Sequence, residues 1–247
     1  MTHDEYCDEL DREIDRFADG LASVDSAARV PSCPDWTVLD LTEHLGTVHR
    51  WATKLVRERS PTRIPRAGLT SQVDVFDAGW LREGGRALVE ALRGADPGDA
   101  MWAWGTDQHV RFWSRRQLHE TFVHRLDLEL ASGATSYVDP AVAFDAIDEF
   151  LANIKADRDI LPRAREGQDA ELIRIRSTAP AGNWSVRLTS DGYDFVDSAN
   201  EPDAELSGPA DEVLMVILRR RDLAHSGVNV SGDDSLAEHW LAQTAFQ

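Results

Sequence analysis

The stretch Ser114-Arg115-Arg116-Gln117-Leu118-His119-Glu120-Thr121-Phe122-Val123-His124-Arg125-Leu126-Asp127-Leu128-Glu129-Leu130-Ala131-Ser132-Gly133 decides how the first half of this chain folds. Leu118, Phe122, Leu126 and Leu130 recur at every fourth position and draw one apolar stripe down a helix that stops at Gly133, a residue suited to a left-handed cap. Working outward, the same three-and-four spacing recurs in Tyr6, Leu10, Ile14, Phe17 and Leu21, with Thr2 and Glu5 as a capping box. It returns in Leu41, Leu45, Val48 and Leu55 behind Thr37 and Asp40, and in Phe76, Trp80, Leu88 and Leu92 up to Gly94. Asp139 and Pro140 open a further helix bearing Phe144, Ile147, Leu151 and Ile154. The first 155 or so residues therefore read as an all-helical bundle, with Val30 to Trp36 as a turn-rich connection.

Beyond the charged stretch Lys155 to Asp169 the period changes from helical to alternating. Ile173 with Ile175, then Trp184, Val186 and Leu188, then Tyr193 with Phe195 read as short strands, the last two joined at Asp191-Gly192. Ala204 with Leu206 and Val228 with Val230 suggest two more strands, and Val213–Leu218 and Leu236–Leu241 two helices. The expected architecture is thus α plus α+β: a helical bundle over residues 1–158 and a small α+β domain over 165–247.

The chain carries 26 Lys and Arg against 44 Asp and Glu among 247 residues, a net charge of −18. So acidic a surface repels polyanions and anionic membranes, which argues against nucleic-acid and membrane partners. No run approaches the roughly 18 apolar residues of a membrane span. The opening residues are acidic where a secretory signal is basic and then apolar, so a cytoplasmic address is expected. Two cysteines, Cys7 and Cys33, are too few for a disulfide scaffold. No heptad seam argues for a coiled-coil dimer, so a monomer or weak homodimer is expected.

Three residues carry the chemistry. His44 falls in the stripe of Leu41, Leu45 and Val48, where its ordinary reading is a core histidine with one hydrogen-bond partner. Glu120 and His124 stand about 40° apart around one helix, one turn above the other, either as a solvated pair or as two ligands of one ion. Two histidines and a carboxylate on two helices of a bundle are the equipment of a zinc or other divalent site that keeps a position open. His119 and His124 are five residues apart, about 140° around the helix, which removes a zincin-type pair. Asp127 lies one turn beyond His124, as an acceptor that orients its ring or as an exposed acid. Cys33, between Pro31 and Pro34, is either reactive or merely buried. Arg219-Arg220-Arg221 reads as a helix end meeting its dipole, or as a guanidinium for an acidic ligand. Phosphate loops, Gly-x-Ser-x-Gly elbows and dinucleotide fingerprints are missing from the sequence.

Two stretches together resemble a known family. Val30-Pro31-Ser32-Cys33-Pro34-Asp35-Trp36-Thr37-Val38, continuing to His44-Leu45-Gly46 and His49-Arg50-Trp51, is similar to the opening signature of the mycothiol-dependent maleylpyruvate isomerase family. Phe112-Trp113-Ser114-Arg115-Arg116, continuing to His119-Glu120-Thr121, His124-Arg125, Asp127 and Ala131-Ser132-Gly133, resembles its second signature, and Trp102-Ala103-Trp104-Gly105 fits between them. The resemblance, to a family with many actinobacterial members of unassigned activity, implies a DinB-like four-helix bundle that binds a divalent metal, usually zinc, through His44, Glu120 and His124. It also implies a sterol-carrier-protein-like α+β domain carrying a functional arginine, for which Arg221 aligns best among the three.

With mycothiol as the implied thiol cosubstrate, a zinc-bound thiolate adds to an electrophilic small molecule, an acid by expectation. Rotation and loss of the thiol give cis–trans isomerisation; retention gives S-transfer. Arg221 or Arg125 is expected to bind cosubstrate or steady a substrate carboxylate, and Asp127 to orient His124. A metal-dependent hydrolase with water in the open position, and a non-enzymatic binding or regulatory protein, are the alternatives.

Overall fold

The computed structural model describes residues 1–67, 69, 75–134, 136–156, 162–168 and 170–244. Its first helix, α1 (His3–Gly20), begins at a capping box in which the Glu5 N–H donates to Thr2 Oγ1 and the Thr2 N–H donates to the Glu5 carboxylate. A short antiparallel hairpin follows, β1 (Arg29–Val30) and β2 (Cys33–Thr37), where the sequence reads only as turn. Pro31 and Pro34 mask the pairing, because proline suits both turns and the edges of short strands. Thr37 then caps α2 (Val38–Glu58), its hydroxyl accepting from the Asp40 N–H at 3.2 Å while Asp40 accepts from the Thr37 N–H at 2.8 Å.

Asp77 caps α3 (Ala78–Arg93), accepting from the Trp80 N–H at 2.8 Å, so Phe76 lies ahead of the helix and packs edge-on against Trp80. The last long helix of the unit, α4 (Val110–Ser132), starts a turn earlier than Ser114, because Val110 and Trp113 are both fully buried. Gly133 closes it in the left-handed region at φ 70°. The apolar stripes of the four helices meet as expected. Leu10, Ile14, Leu55, Leu88 and Trp113 fill one part of the core, and Phe17, Leu41, Leu45, Leu81 and Leu128 the other. Where α2 meets α3, a Cβ on Gly46 would lie 2.1 Å from the Trp80 ring, so only glycine lets the indole sit there.

Two compact units divide the chain, Met1–Ser136 and Tyr137–Gln247. The division falls earlier than the 158–165 boundary expected from the sequence, whose residues 157–161 are outside the described residues. The four-helix bundle is α1 to α4, and α5 (Pro140–Ala156), capped by Asp139, belongs to the second unit. Its periodicity marks a buried face without saying what covers it. Phe144 of that face packs 5.0 Å from Trp184, whose indole N–H donates to Asp148 at 3.1 Å.

The second unit is built on a five-stranded mixed sheet in the order β5-β4-β3-β6-β7. Its strands are β3 (Ala170–Thr178), β4 (Ala181–Thr189), β5 (Gly192–Phe195), β6 (Ala204–Gly208) and β7 (Asn229–Gly232). β3 and β6 pair in parallel and the other pairs are antiparallel. Ile173, Ile175, Val186, Leu188 and Leu206 are buried, so the alternation in the sequence does mark one face of the sheet. The helices α6 (Ala210–Ile217) and α7 (Asp234–Gln243) complete the unit. None of the described helices is long and apolar enough to cross a membrane.

Candidate metal centre

His44 comes from α2 and Glu120 and His124 from α4, and one donor atom of each lies within 4.8 Å of the other two. His44 Nε2 is 3.2 Å and His124 Nε2 3.4 Å from the same oxygen, Glu120 Oε1. Among the described residues this is the group of histidine, cysteine or acidic side chains that can hold a metal ion. All three are half-buried, so the site is walled by the bundle yet reachable. Two imidazole nitrogens and one carboxylate oxygen fit a divalent ion of the zinc type, with a fourth position left for an exchangeable ligand.

Each donor is held from behind. His124 Nδ1 donates to Asp127 Oδ2 at 2.9 Å, so Nε2 faces the other two donors, and Asp127 accepts from the Ser32 hydroxyl at 2.5 Å. Asp127 is fully buried, which removes the exposed-acid reading. Glu120 Oε2 accepts from the Arg116 guanidinium, one turn back on α4. The His44 ring packs 4.7 Å from the Trp36 ring, and the His124 ring lies 6.2 Å from the same indole.

Burial opposes ionisation of Glu120, but Arg116 and the hydrogen bonds from His124 and His44 outweigh it and hold the carboxyl well below its ordinary range. Burial likewise disfavours the charged His124 ring, yet hydrogen bonds to Asp127 and Glu120 push its pKa up to about 9. His49, next along α2, behaves oppositely. Burial, helped by the nearby charge of Arg50, lowers it to about 3, and its Nε2 meets Thr121 Oγ1 at 2.9 Å, so it is a neutral core histidine.

Other expected site residues lie elsewhere. Arg125 is one position past His124, about 100° around the helix, and this turns it toward α1. It is buried there, donating to Glu13 at 2.5 Å and to Glu129 at 2.7 Å. His119 is buried against Tyr6 on the same side. Arg221 lies in the second unit, paired with Glu212. Its run follows α6 as the helix-end reading expects, with the N–H groups of Arg220 and Arg221 donating to the Met215 carbonyl at 2.8 and 3.0 Å. Cys33 is half-buried on β2 and outside the donor group, and Cys7 is an inert core thiol that burial pushes up to about 11.

Two further residues, Arg116 and Trp36, stand beside the donor set. Arg116 stands four residues before Glu120, the spacing of a helical ion pair, so the sequence carries a signal for it. Trp36 reaches the histidines only because the β1–β2 hairpin folds back, for which the sequence carries no signal.

A helical bundle with a two-histidine, one-carboxylate donor set, followed by a small mixed α+β unit, defines a DinB-like protein of two domains. The model of the mycothiol maleylpyruvate isomerase N-terminal domain matches residues 7–129, and that of the family's C-terminal domain matches residues 141–239. The chain belongs to the mycothiol-dependent maleylpyruvate isomerase family.

The crystal structure of a mycothiol-dependent maleylpyruvate isomerase is similar at a TM-score of 0.63 and 14% identity, over 94% of this chain and 93% of that one. A histidine-to-alanine variant of it matches to the same degree. At this identity the likeness shows the shared fold. A partial likeness to the UbiJ-SCP2 ubiquinone synthesis protein has a TM-score of 0.27 at 13% identity, over 44% of this chain and 81% of that one. No curated protein matches the chain.

Proposed function

We propose that this chain is a thiol-dependent isomerase or S-transferase. In this reading zinc, or another divalent ion, sits on His44, Glu120 and His124, mycothiol is the cosubstrate, and the substrate is an electrophilic small molecule, an acid. The observation that carries it is the convergence of the three donors within 4.8 Å, in a chain of the mycothiol-dependent maleylpyruvate isomerase family.

A bound divalent ion supplies one thing, stabilisation of the thiolate of a low-molecular-weight thiol near neutral pH. The remaining work falls to the chain. Asp127 fixes the His124 tautomer by accepting its Nδ1–H, which leaves the Nε2 lone pair facing the other two donor atoms, where an ion would be held. Glu120 stays ionised because Arg116 offsets its burial. Trp36 covers the flank of both imidazoles and limits water there. Arg221 is the residue we assign to steadying a substrate carboxylate. A thiol that adds to a conjugated double bond and leaves after rotation gives isomerisation, and one that stays gives S-transfer. Both fit a cytoplasmic enzyme acting as a monomer or weak homodimer.

The test is to supply the full chain, loaded with zinc, with mycothiol and a cis-configured conjugated oxo acid such as maleylpyruvate, and to follow product by absorbance and mass. Turnover that needs both zinc and the thiol is expected. Hydrolysis that proceeds without thiol would replace this reading with the metal hydrolase.

A further inference from the structure

We infer that Trp36 is a positioning residue through which the β1–β2 hairpin and the metal centre are coupled: an ion on His44 and His124 stiffens the hairpin, and the hairpin in turn holds both imidazoles ready for the ion. The inference rests on the reading of His44, Glu120 and His124 as metal ligands.

The hairpin has little of its own to hold it. β1 has two residues and β2 five, and their register shifts between Arg29 and Val30. A two-stranded ribbon of this size is at best marginally stable in water. Val30 is sunk in the core cluster that contains Phe17, Leu41 and Leu128, but no residue of β2 is fully buried. The order of β2 therefore depends on what its side chains lean on.

Trp36 leans on the donor set. Its ring lies 4.7 Å from that of His44, tilted by 47°, and 6.2 Å from that of His124, tilted by 34°. The two imidazoles are themselves nearly perpendicular, at 80° with centroids 5.0 Å apart. One indole thus spans a donor from α2 and a donor from α4, at separations where aromatic rings attract beyond the area they bury. The hairpin also reaches behind His124, where the Ser32 hydroxyl donates to Asp127 at 2.5 Å and Asp127 accepts from His124.

The His44 ring has one hydrogen-bond contact, to Glu120 Oε1 at 3.2 Å, and 27% of its side chain is exposed. Bonding to an ion fixes such a ring more firmly than that contact does, so the surface beneath the indole becomes rigid and the hairpin with it. Linkage makes the effect reciprocal, because whatever order the ion adds to the hairpin, the ordered hairpin returns as affinity for the ion. Trp36 contributes by restricting both rings before the ion arrives.

The experiment measures amide hydrogen exchange by mass spectrometry on the full chain, with and without saturating zinc, at labelling times too short for global unfolding. Zinc affinity is measured alongside, by competition with a chromogenic chelator, in wild type, Trp36→Phe and Trp36→Ala. In wild type, zinc is expected to slow exchange over residues 29–37 by about threefold or more while β4, in the other unit, keeps its rate. Zinc should bind Trp36→Ala about fivefold or more weakly, and Trp36→Phe within about twofold of wild type. Unchanged exchange over residues 29–37 in zinc-loaded wild type would overturn the inference, and so would wild-type affinity in Trp36→Ala. A phenylalanine variant as weak as the alanine variant also overturns it, since ring packing would then not be the cause. Should Trp36→Ala fail to fold, the wild-type exchange decides alone. Wild type that binds no zinc is a separate result, and brings down the metal-centre reading itself.

Discussion

Replacing Asp127 with asparagine removes a buried negative charge while leaving a carbonyl oxygen that can still accept the His124 Nδ1–H. In the metal-free protein the His124 pKa is pushed up from 6.5 to about 9, against burial, by hydrogen bonds and charge from Asp127 and Glu120. A shift of that size is worth about 3 kcal/mol in favour of the imidazolium. A metal ion binds only the neutral ring, so zinc must displace this proton. The sign follows: at about pH 7.5, below the raised pKa, wild type should release close to one proton from His124 for each zinc bound. Release should decline as pH rises through about 9. In Asp127→Asn the pKa falls toward its ordinary value, and release at about pH 7.5 should drop below about half a proton. Calorimetric zinc titrations in two buffers of different ionisation enthalpy count the protons directly. Equal release by the two proteins from about pH 7 to 9 would refute the assignment of His124, with Asp127 behind it, to the metal.

The remaining predictions concern the scaffold. His49 is held neutral down to about pH 3, whereas in the unfolded chain it titrates near 6.5. As pH falls through that window the unfolded state gains a proton the folded state refuses, so stability drops by up to about 1.4 kcal/mol per pH unit from this group. Urea unfolding of His49→Gln should show a shallower acid decline than wild type, and parallel curves would contradict the assignment. Gly46→Ala should lower stability by about 1–3 kcal/mol, because its Cβ would lie 2.1 Å from the Trp80 ring, and an unchanged melting temperature would count against the packing described. Arg125→Met leaves Glu13 buried with only Arg16 as partner, and should cost up to about 3 kcal/mol in urea unfolding while zinc uptake persists. Loss of zinc uptake from a folded Arg125→Met protein would return Arg125 to the site.

Helix phase made the donor set legible in the sequence. The stripe that buries Leu41, Leu45 and Val48 turns His44 toward α4, and a four-residue step stacks Glu120 and His124 on the facing helix. One residue further along the helix, about 100° of rotation carries Arg125 to Glu13 on α1. What was not legible depends on contacts between distant segments. Ser32 and Trp36 reach Asp127 and the histidines because a proline-rich passage pairs as a hairpin, and propensity alone reads such a passage as turn. The partner of α5 was hidden for a related reason. Phe144, Ile147 and Leu151 announce an apolar face, and only the tertiary fold shows that Trp184 of the sheet meets it.

Whether His44, Glu120 and His124 hold one divalent ion is decided by metal content. Full-length protein prepared without a histidine tag, wild type beside His44→Ala, is offered zinc, dialysed and assayed by elemental analysis. About one zinc per chain is expected in wild type and its loss in His44→Ala, with both proteins folded by circular dichroism. Zinc absent from wild type, or retained in full by His44→Ala, would contradict it.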